Sequence, residues 1–182
     1  MRGWSEVLSA AGVRDRVLAR LTPEVTALLQ DPPSGMAWVD NAYFECVAEA
    51  VRLELGEERL DTLFVAASKS GWSALLSNWL GAAIRIFGPS PHRLFDQVPT
   101  AAKANTVGVT LEWIHLSPES GELALTHLYR PRIHAGVAWG VGAAAQIVGD
   151  AMGRPLKRQR PKIEPTASDG TRIRVGVEWS DR

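Results

Sequence analysis

The sequence predicts an α+β fold, an N-terminal helical bundle packed on a small antiparallel sheet of two hairpins that are separated by a buried glycine-rich helix. Three observations carry this prediction. Up to about residue 105 the apolar side chains recur at helical spacing, and beyond it they alternate with period two in paired segments. Between the pairs lies 134–152, HAGVAWGVGAAAQIVGDAM, in which only His134, Gln146 and Asp150 are strongly polar. A helix so poor in polar groups is buried around most of its circumference. With 182 residues, 46% of them hydrophobic, the chain fits a single domain over 1–182, mainly helical over 1–105 and hairpin-helix-hairpin over 106–182.

In chain order, residues 5–30 form helical stretches with weak breaks. Thr22 serves as an N-cap and Pro23 as the first helical residue, and Asp31-Pro32-Pro33-Ser34-Gly35 ends the run. A helix opening at Asp40 places Tyr43, Val47, Ala50 and Val51 on one stripe, with Glu45, Glu49 and Arg52 on the wet face, and Gly56 closes it. A short amphipathic helix over 57–67 is expected to stop at Ser68-Lys69-Ser70-Gly71. A second core helix then runs from Trp72 to Phe87 and is halted by Gly88-Pro89-Ser90-Pro91. The last helix of this half, 91–104, turns Leu94, Phe95 and Val98 inward and is kinked or divided at Pro99.

The first hairpin pairs 107–116 with 122–129 around Ser117-Pro118-Glu119-Ser120-Gly121. A turn centred on Glu119 sets Leu111 opposite His127 and Trp113 opposite Leu125. Val107, Val109, Leu111, Trp113, Leu123, Leu125, His127 and Tyr129 then share a face that is apolar except for His127. In the second hairpin Ile173, Val175, Val177 and Trp179 alternate with Arg172, Arg174 and Glu178, and centring on Asp169 sets Glu164 opposite Arg174 and Glu178 opposite Arg160. Pro161 and Pro165 confine its first strand to an edge.

In the central helix one stripe is Val137, Val141, Ala144, Val148 and Met152, and its neighbour is Gly136, Gly140, Ala143, Ile147 and Ala151. Each glycine costs about 1 kcal/mol against alanine inside a helix, so this stripe marks a close approach of backbone or ligand. Gln146 and Asp150 lie well inside the segment, and no other apolar run approaches the ~20 residues of a membrane span. The N-terminus shows no apolar core of a secretory signal, and a cytoplasmic location is the expectation.

Twenty basic residues balance twenty acidic ones, so no global field points to nucleic acid or an anionic membrane. Locally, 151–182 holds eight Lys/Arg against four Asp/Glu. Cross-strand ion pairing and protection of an edge strand account for that cluster without a phosphate partner. Phosphate-cradling loops, a nucleophile elbow and metal-binding His or Cys pairs are all missing. The one cysteine, Cys46, excludes an internal disulfide and reads as a buried structural thiol. Of four histidines, His127 on the apolar hairpin face is best placed to meet a ligand; its other reading is a buried imidazole bonded to a backbone carbonyl. The seven tryptophans, at 4, 38, 72, 79, 113, 139 and 179, fit either an apolar cavity or a homomeric contact.

Phe87-Gly88-Pro89-Ser90-Pro91, Gly121-Glu122-Leu123, the glycine-rich helix and Val175-Gly176-Val177-Glu178-Trp179 carry a resemblance. Over 71–179 the chain resembles the fold shared by haem-NO-binding sensor domains, vinyl-reductase-type ligand-binding domains and small TRAPP vesicle-transport subunits. It is most similar to a myxobacterial paralogous family of unknown function. The resemblance implies a hydrophobic cavity between helices and sheet, and often a homodimer formed through helices. Haem-NO-binding domains carry a proximal histidine on the helix before the first hairpin and a Tyr-x-Ser-x-Arg clasp. Here Tyr129 is followed by Arg130, Pro131, Arg132 and Ile133, and that helix offers His92 at its start.

Together these features point to a non-enzymatic module without a cofactor. It would hold an apolar small molecule between the Trp72–Phe87 helix, the first hairpin and the central helix, and serve sensing or regulation. Trp79, Trp113 and Trp139 would line the site, with His127 and Tyr129 as orienting polar groups. A protein-interaction scaffold with a filled core and a haem-dependent gas sensor are the alternatives.

Overall fold

The computed structural model describes residues 1–33, 39–88, 90–127, 135–166 and 170–180; the side chains of 71–80, 87, 101, 104, 105 and 137 fall outside the description. The helices are α1 (Arg2–Ala10), α2 (Arg14–Leu18), α3 (Pro23–Gln30), α4 (Asn41–Leu55), α5 (Glu57–Phe87), α6 (Pro91–Phe95), α7 (Val98–Asn105) and α8 (Ala135–Ala151). The strands are β1 (Val109–Ser117), β2 (Ser120–His127), β3 (Leu156–Arg158), β4 (Lys162–Pro165) and β5 (Thr171–Trp179). They group into two compact units, Met1–Ser73 with His134–Ala143 and Ala74–Ile133 with Ala144–Arg182. The α+β class expected from the sequence is the class observed.

In the first unit the start signals act where the sequence put them. Thr22 Oγ1 accepts from Val25 N–H at 3.4 Å with Pro23 opening α3, and Asp40 Oδ1 accepts from Ala42 N–H at 2.8 Å. Gly56 ends α4 at φ +83°, a conformation that side chains with a Cβ rarely adopt. The core joins Trp4, Leu8, Val17, Val25, Leu29, Val47, Val51, Leu60 and Phe64, with Ala143 of α8 among them. Trp4, Phe44 and Phe64 meet edge to face at 5.1–6.1 Å between ring centroids.

The glycine stripe is filled by protein in this unit. A Cβ on Gly136 would lie 2.7 Å from the Ala48 carbonyl, and one on Gly140 would lie 2.7 Å from the Phe64 ring. The α8 N-terminus also meets α4 through a hydrogen bond, Gly136 N–H donating to Glu49 Oε2 at 3.2 Å. A carboxylate there satisfies one of the free amides of the helix start and complements its dipole.

Two expectations for the helices change. Helix α5 runs unbroken for 31 residues through Ser68-Lys69-Ser70-Gly71, because one interior glycine costs only about 1 kcal/mol and no proline removes a donor there. Glu45 is fully buried rather than on the wet face, and its Oε1 accepts from Asn41 Nδ2 at 3.0 Å. Pro99 does divide the last N-terminal helix, sitting in the first turn of α7 after α6 has ended at Phe95.

In the second unit the two hairpins form one sheet in the order β1-β2-β5-β3, with β4 also pairing β5, so β3 and β4 lie along the same edge of β5. The first hairpin is in a different register from the one expected: Leu111 faces Leu125, Trp113 faces Leu123 and Val109 faces His127. A two-residue turn at 118–119 and an irregularity between His115 and Ser117 produce the shift. The offset preserves the two-residue parity, so the side chains keep their expected faces. Likewise Glu164 faces Arg172 rather than Arg174, and Glu178 faces Lys157 rather than Arg160. Ile173, Val175, Val177 and Trp179 are all buried, as the alternation in β5 predicts. Gly149 of α8 lets the Leu156 side chain approach the helix backbone.

Candidate functional site

One sheet face in the second unit carries a ladder of apolar and aromatic side chains with polar groups at its two ends. The residues paired across β1, β2 and β5 on this face are Val109, His127 and Thr171, then Leu111, Leu125 and Ile173, then Trp113, Leu123 and Val175. Leu123, Ile173 and Val175 are fully buried, whereas Val109, Leu111, Trp113 and Leu125 keep partial exposure. The opposite face is charged. Arg174 Nε donates to Glu122 Oε1 at 2.6 Å, its Nη1 lies 3.7 Å from Glu164 Oε2, and Arg172 Nη2 donates to Glu112 Oε2 at 2.8 Å. The hydrogen bond to Glu122, then its charge, holds the Arg174 guanidinium above its ordinary pKa. These partners account for part of the basic cluster within the sheet.

At one end of the ladder, α6 sets His92 and Phe95 against β1 and β5. Phe95 stacks on Trp113 at 4.3 Å, and Trp113 lies 6.3 Å from Trp179. His92 stands edge-on to Trp179 at 4.8 Å and face to face with His115 at 4.2 Å. The Trp113 indole occupies the space that a Cβ on Gly121 would take, which is why β2 carries glycine there.

The hydrogen bonds of His92 fix its proton. Trp113 Nε1–H can only donate, and it reaches His92 Nδ1 at 3.1 Å; the Ser117 carbonyl can only accept, and it lies 2.7 Å from Nε2. Neutral His92 is therefore the Nε2–H tautomer with both ring nitrogens engaged. His115 is bonded through Nε2 to Asp96 Oδ1 at 2.8 Å.

At the other end, His127 is 5% exposed and Thr171, its partner across the β2–β5 ladder, is 2% exposed. Glycine at 170 is required because a Cβ would strike the His127 carbonyl oxygen. The turn is closed by Gly170 N–H donating to Thr166 Oγ1 at 2.9 Å and Thr166 N–H donating to the Gly170 carbonyl at 3.0 Å.

Of the side chains singled out from sequence, Trp113 and His127 share this face, about 14 Å apart at four strand residues. They are not in contact in the way His92 and Trp113 are. Trp139 packs on the core of the first unit. The Trp79 side chain, Tyr129 and His134 lie outside the described residues. Cys46 is half-buried against the first unit's core. Sequence reasoning missed His92, Thr171 and Trp179 as neighbours of the expected site. The available signal was the shared strand parity of Trp113, His115 and Trp179; the reach of His92 across 21 residues leaves no local trace.

An axial role toward haem iron needs an imidazole nitrogen with a free lone pair. His92, the histidine that the resemblance points to, offers none, since Nδ1 accepts from Trp113 and Nε2–H donates to Ser117. The residues present do not fit that group at this helix. Among the described residues no group of three His, Cys, Asp or Glu side chains is placed to hold a metal ion.

No protein-family model matches the sequence, and no curated protein matches it. Solved structures do. An H-NOX domain from a study of H-NOX activation superposes with a TM-score of 0.63 at 11% identity, covering 98% of this chain and 94% of that one. An oxygen-binding H-NOX domain related to soluble guanylate cyclases gives 0.60 at 10% identity, covering 98% and 92%. A mutant of the T. tengcongensis H-NOX domain gives 0.62 at 11% identity, covering 100% and 98%. At these identities the likeness establishes the fold, and the chain has the fold of an H-NOX domain.

Proposed function

We propose that residues 1–182 act as one non-enzymatic module that holds an apolar small molecule and serves sensing or regulation. The observation that carries this reading is the half-open apolar face of the sheet, ended by the buried polar pair His127 and Thr171. Apolar concavities with a few placed polar groups are where small ligands bind. On this reading Val109, Leu111, Leu125 and Trp113 contact the ligand body, and His127 orients its polar end. Trp79 and Tyr129, expected at the site from the sequence, are proposed as further ligand contacts, and Trp139 is not needed for it. The fold supports the reading because the solved relatives include an oxygen-binding domain. We place the module in the cytoplasm, as a homodimer or with a protein partner, and among the myxobacterial family that its sequence resembles; no described helix is long and apolar enough to cross a membrane.

A second reading, a protein-interaction scaffold with a filled core, draws on the first unit. There the glycine stripe meets Ala48 and Phe64, which leaves no room for a ligand at those positions. Denaturing extraction of purified protein followed by mass spectrometry separates the two. The ligand-holding module releases a stoichiometric apolar compound, and its Trp fluorescence responds to added hydrophobes. A scaffold releases nothing and stays silent in fluorescence.

A further inference from the structure

We infer that His92 is an internal tie that docks α6 onto the first hairpin, and that this chain consequently leaves haem unbound although it has the fold of an H-NOX domain. Hydrogen-bond polarity fixes the state of this imidazole. An indole N–H has no lone pair and a carbonyl oxygen has no proton, so Trp113 and Ser117 together determine which nitrogen of His92 carries hydrogen.

The imidazole is held further by its ring contacts, face to face on His115 and edge-on to Trp179. Turning it to present a lone pair elsewhere would give up the Trp113 bond, the Ser117 bond and both ring contacts. Shifting α6 itself would in addition expose the fully buried Leu94 and Phe95, which anchor the same five-residue helix. Of the other described histidines, His115 is exposed with its Nε2 bonded to Asp96, and His127 sits 5% exposed at the far end of the ladder, away from α6. At the clasp, Pro131 and Ile133 stand where serine and arginine would be needed. In place of an axial bond to iron, α6 is therefore positioned by bonds made wholly within the chain.

The test has two arms, and neither depends on an apolar ligand being found. In the unmodified chain, imidazole nitrogen NMR at neutral pH is expected to show His92 as the Nε2–H tautomer. The Trp113 indole proton should exchange slowly. His92→Phe keeps a ring but removes both hydrogen bonds, and should speed exchange of the Trp113 indole proton at least tenfold while that of Trp179 is unchanged. An Nδ1–H tautomer, or Trp113 protection unaltered by His92→Phe, overturns the tie. In the second arm hemin is titrated into the purified protein, with and without reduction and carbon monoxide. The expected result is no saturable one-to-one Soret band. A stoichiometric band overturns the inference whether or not it survives His92→Ala.

Discussion

The two aromatic clusters, one in each unit, are built from similar side chains and bonded in opposite ways. In the first unit Trp4, Phe44 and Phe64 meet edge to face, and Trp4 Nε1–H, on a side chain 1% exposed, has no hydrogen-bond partner among the described residues. In the second unit Trp113 has its N–H engaged by His92, and its ring lies among Phe95, Trp179 and two stacked histidines. The first cluster contributes burial and tolerates an unpartnered donor, whose cost is about 1–3 kcal/mol. The second trades some burial for directional bonds. The former is expected to carry more of the stability, and the ligand face proposed above adjoins the latter.

Perturbing each cluster should show that division. The largest effect is expected for Phe64→Ala, which removes a side chain 2% exposed at the centre of the dry cluster. Chemical denaturation should register a loss of about 3–5 kcal/mol. Gly136→Ala comes next. The added Cβ would sit 2.7 Å from Ala48 backbone atoms that have no rotamer to relax into. An overpacking penalty of about 1–3 kcal/mol outweighs the ~1 kcal/mol gain in helix propensity at most of that range. A Gly136→Ala chain more stable than the parent would mean that α4 and α8 are less closely packed than described.

Trp113→Phe tests the wetter cluster. It keeps a ring over Gly121 and against Phe95 while deleting the donor to His92, so a loss of about 0.5–1.5 kcal/mol is expected from the hydrogen bond. The same variant should lower affinity for an apolar fluorescent probe if this face binds ligand.

The smallest effect concerns acid. The Glu54 carboxyl is held below the usual glutamate range, first by the hydrogen bond from Arg20 and then by that from Arg16, at 2.7 Å and 2.6–2.7 Å. A carboxyl with a depressed folded-state pKa contributes stability above its unfolded value, and that contribution disappears as pH falls through the folded value. Glu54→Gln should therefore remove a small, salt-sensitive part of the stability difference between neutral pH and pH 3, with little change below that. Thermal melts at two ionic strengths would read it.

How legible this was depends on the range over which each feature is encoded. Thr22-Pro23, Asp40, Gly56 and Pro99 mark helix ends through one or two residues of local chemistry, and all four act as read. Alternation in β1, β2 and β5 fixes which side chains share a face. It does not fix register, which the turn at 118–119 and the irregularity after His115 decide. Gly71 resembles a break, yet one interior glycine without a neighbouring proline costs a helix only about 1 kcal/mol, too little to stop α5. Glu45 looked wet because its partner Asn41 sits one turn earlier at the helix start. The His92–Trp113 bond and the His127–Thr171 pair depend on contacts 21 and 44 residues apart, and no periodicity within a window reports those.

The proposal that the sheet face holds an apolar molecule is tested most directly by an experimental electron-density map of protein purified without added ligand. Continuous density, unexplained by the chain, is expected along Leu111 and Leu125 between His127 and Trp113. Side chains closing over that face, with the map flat above them, would contradict it.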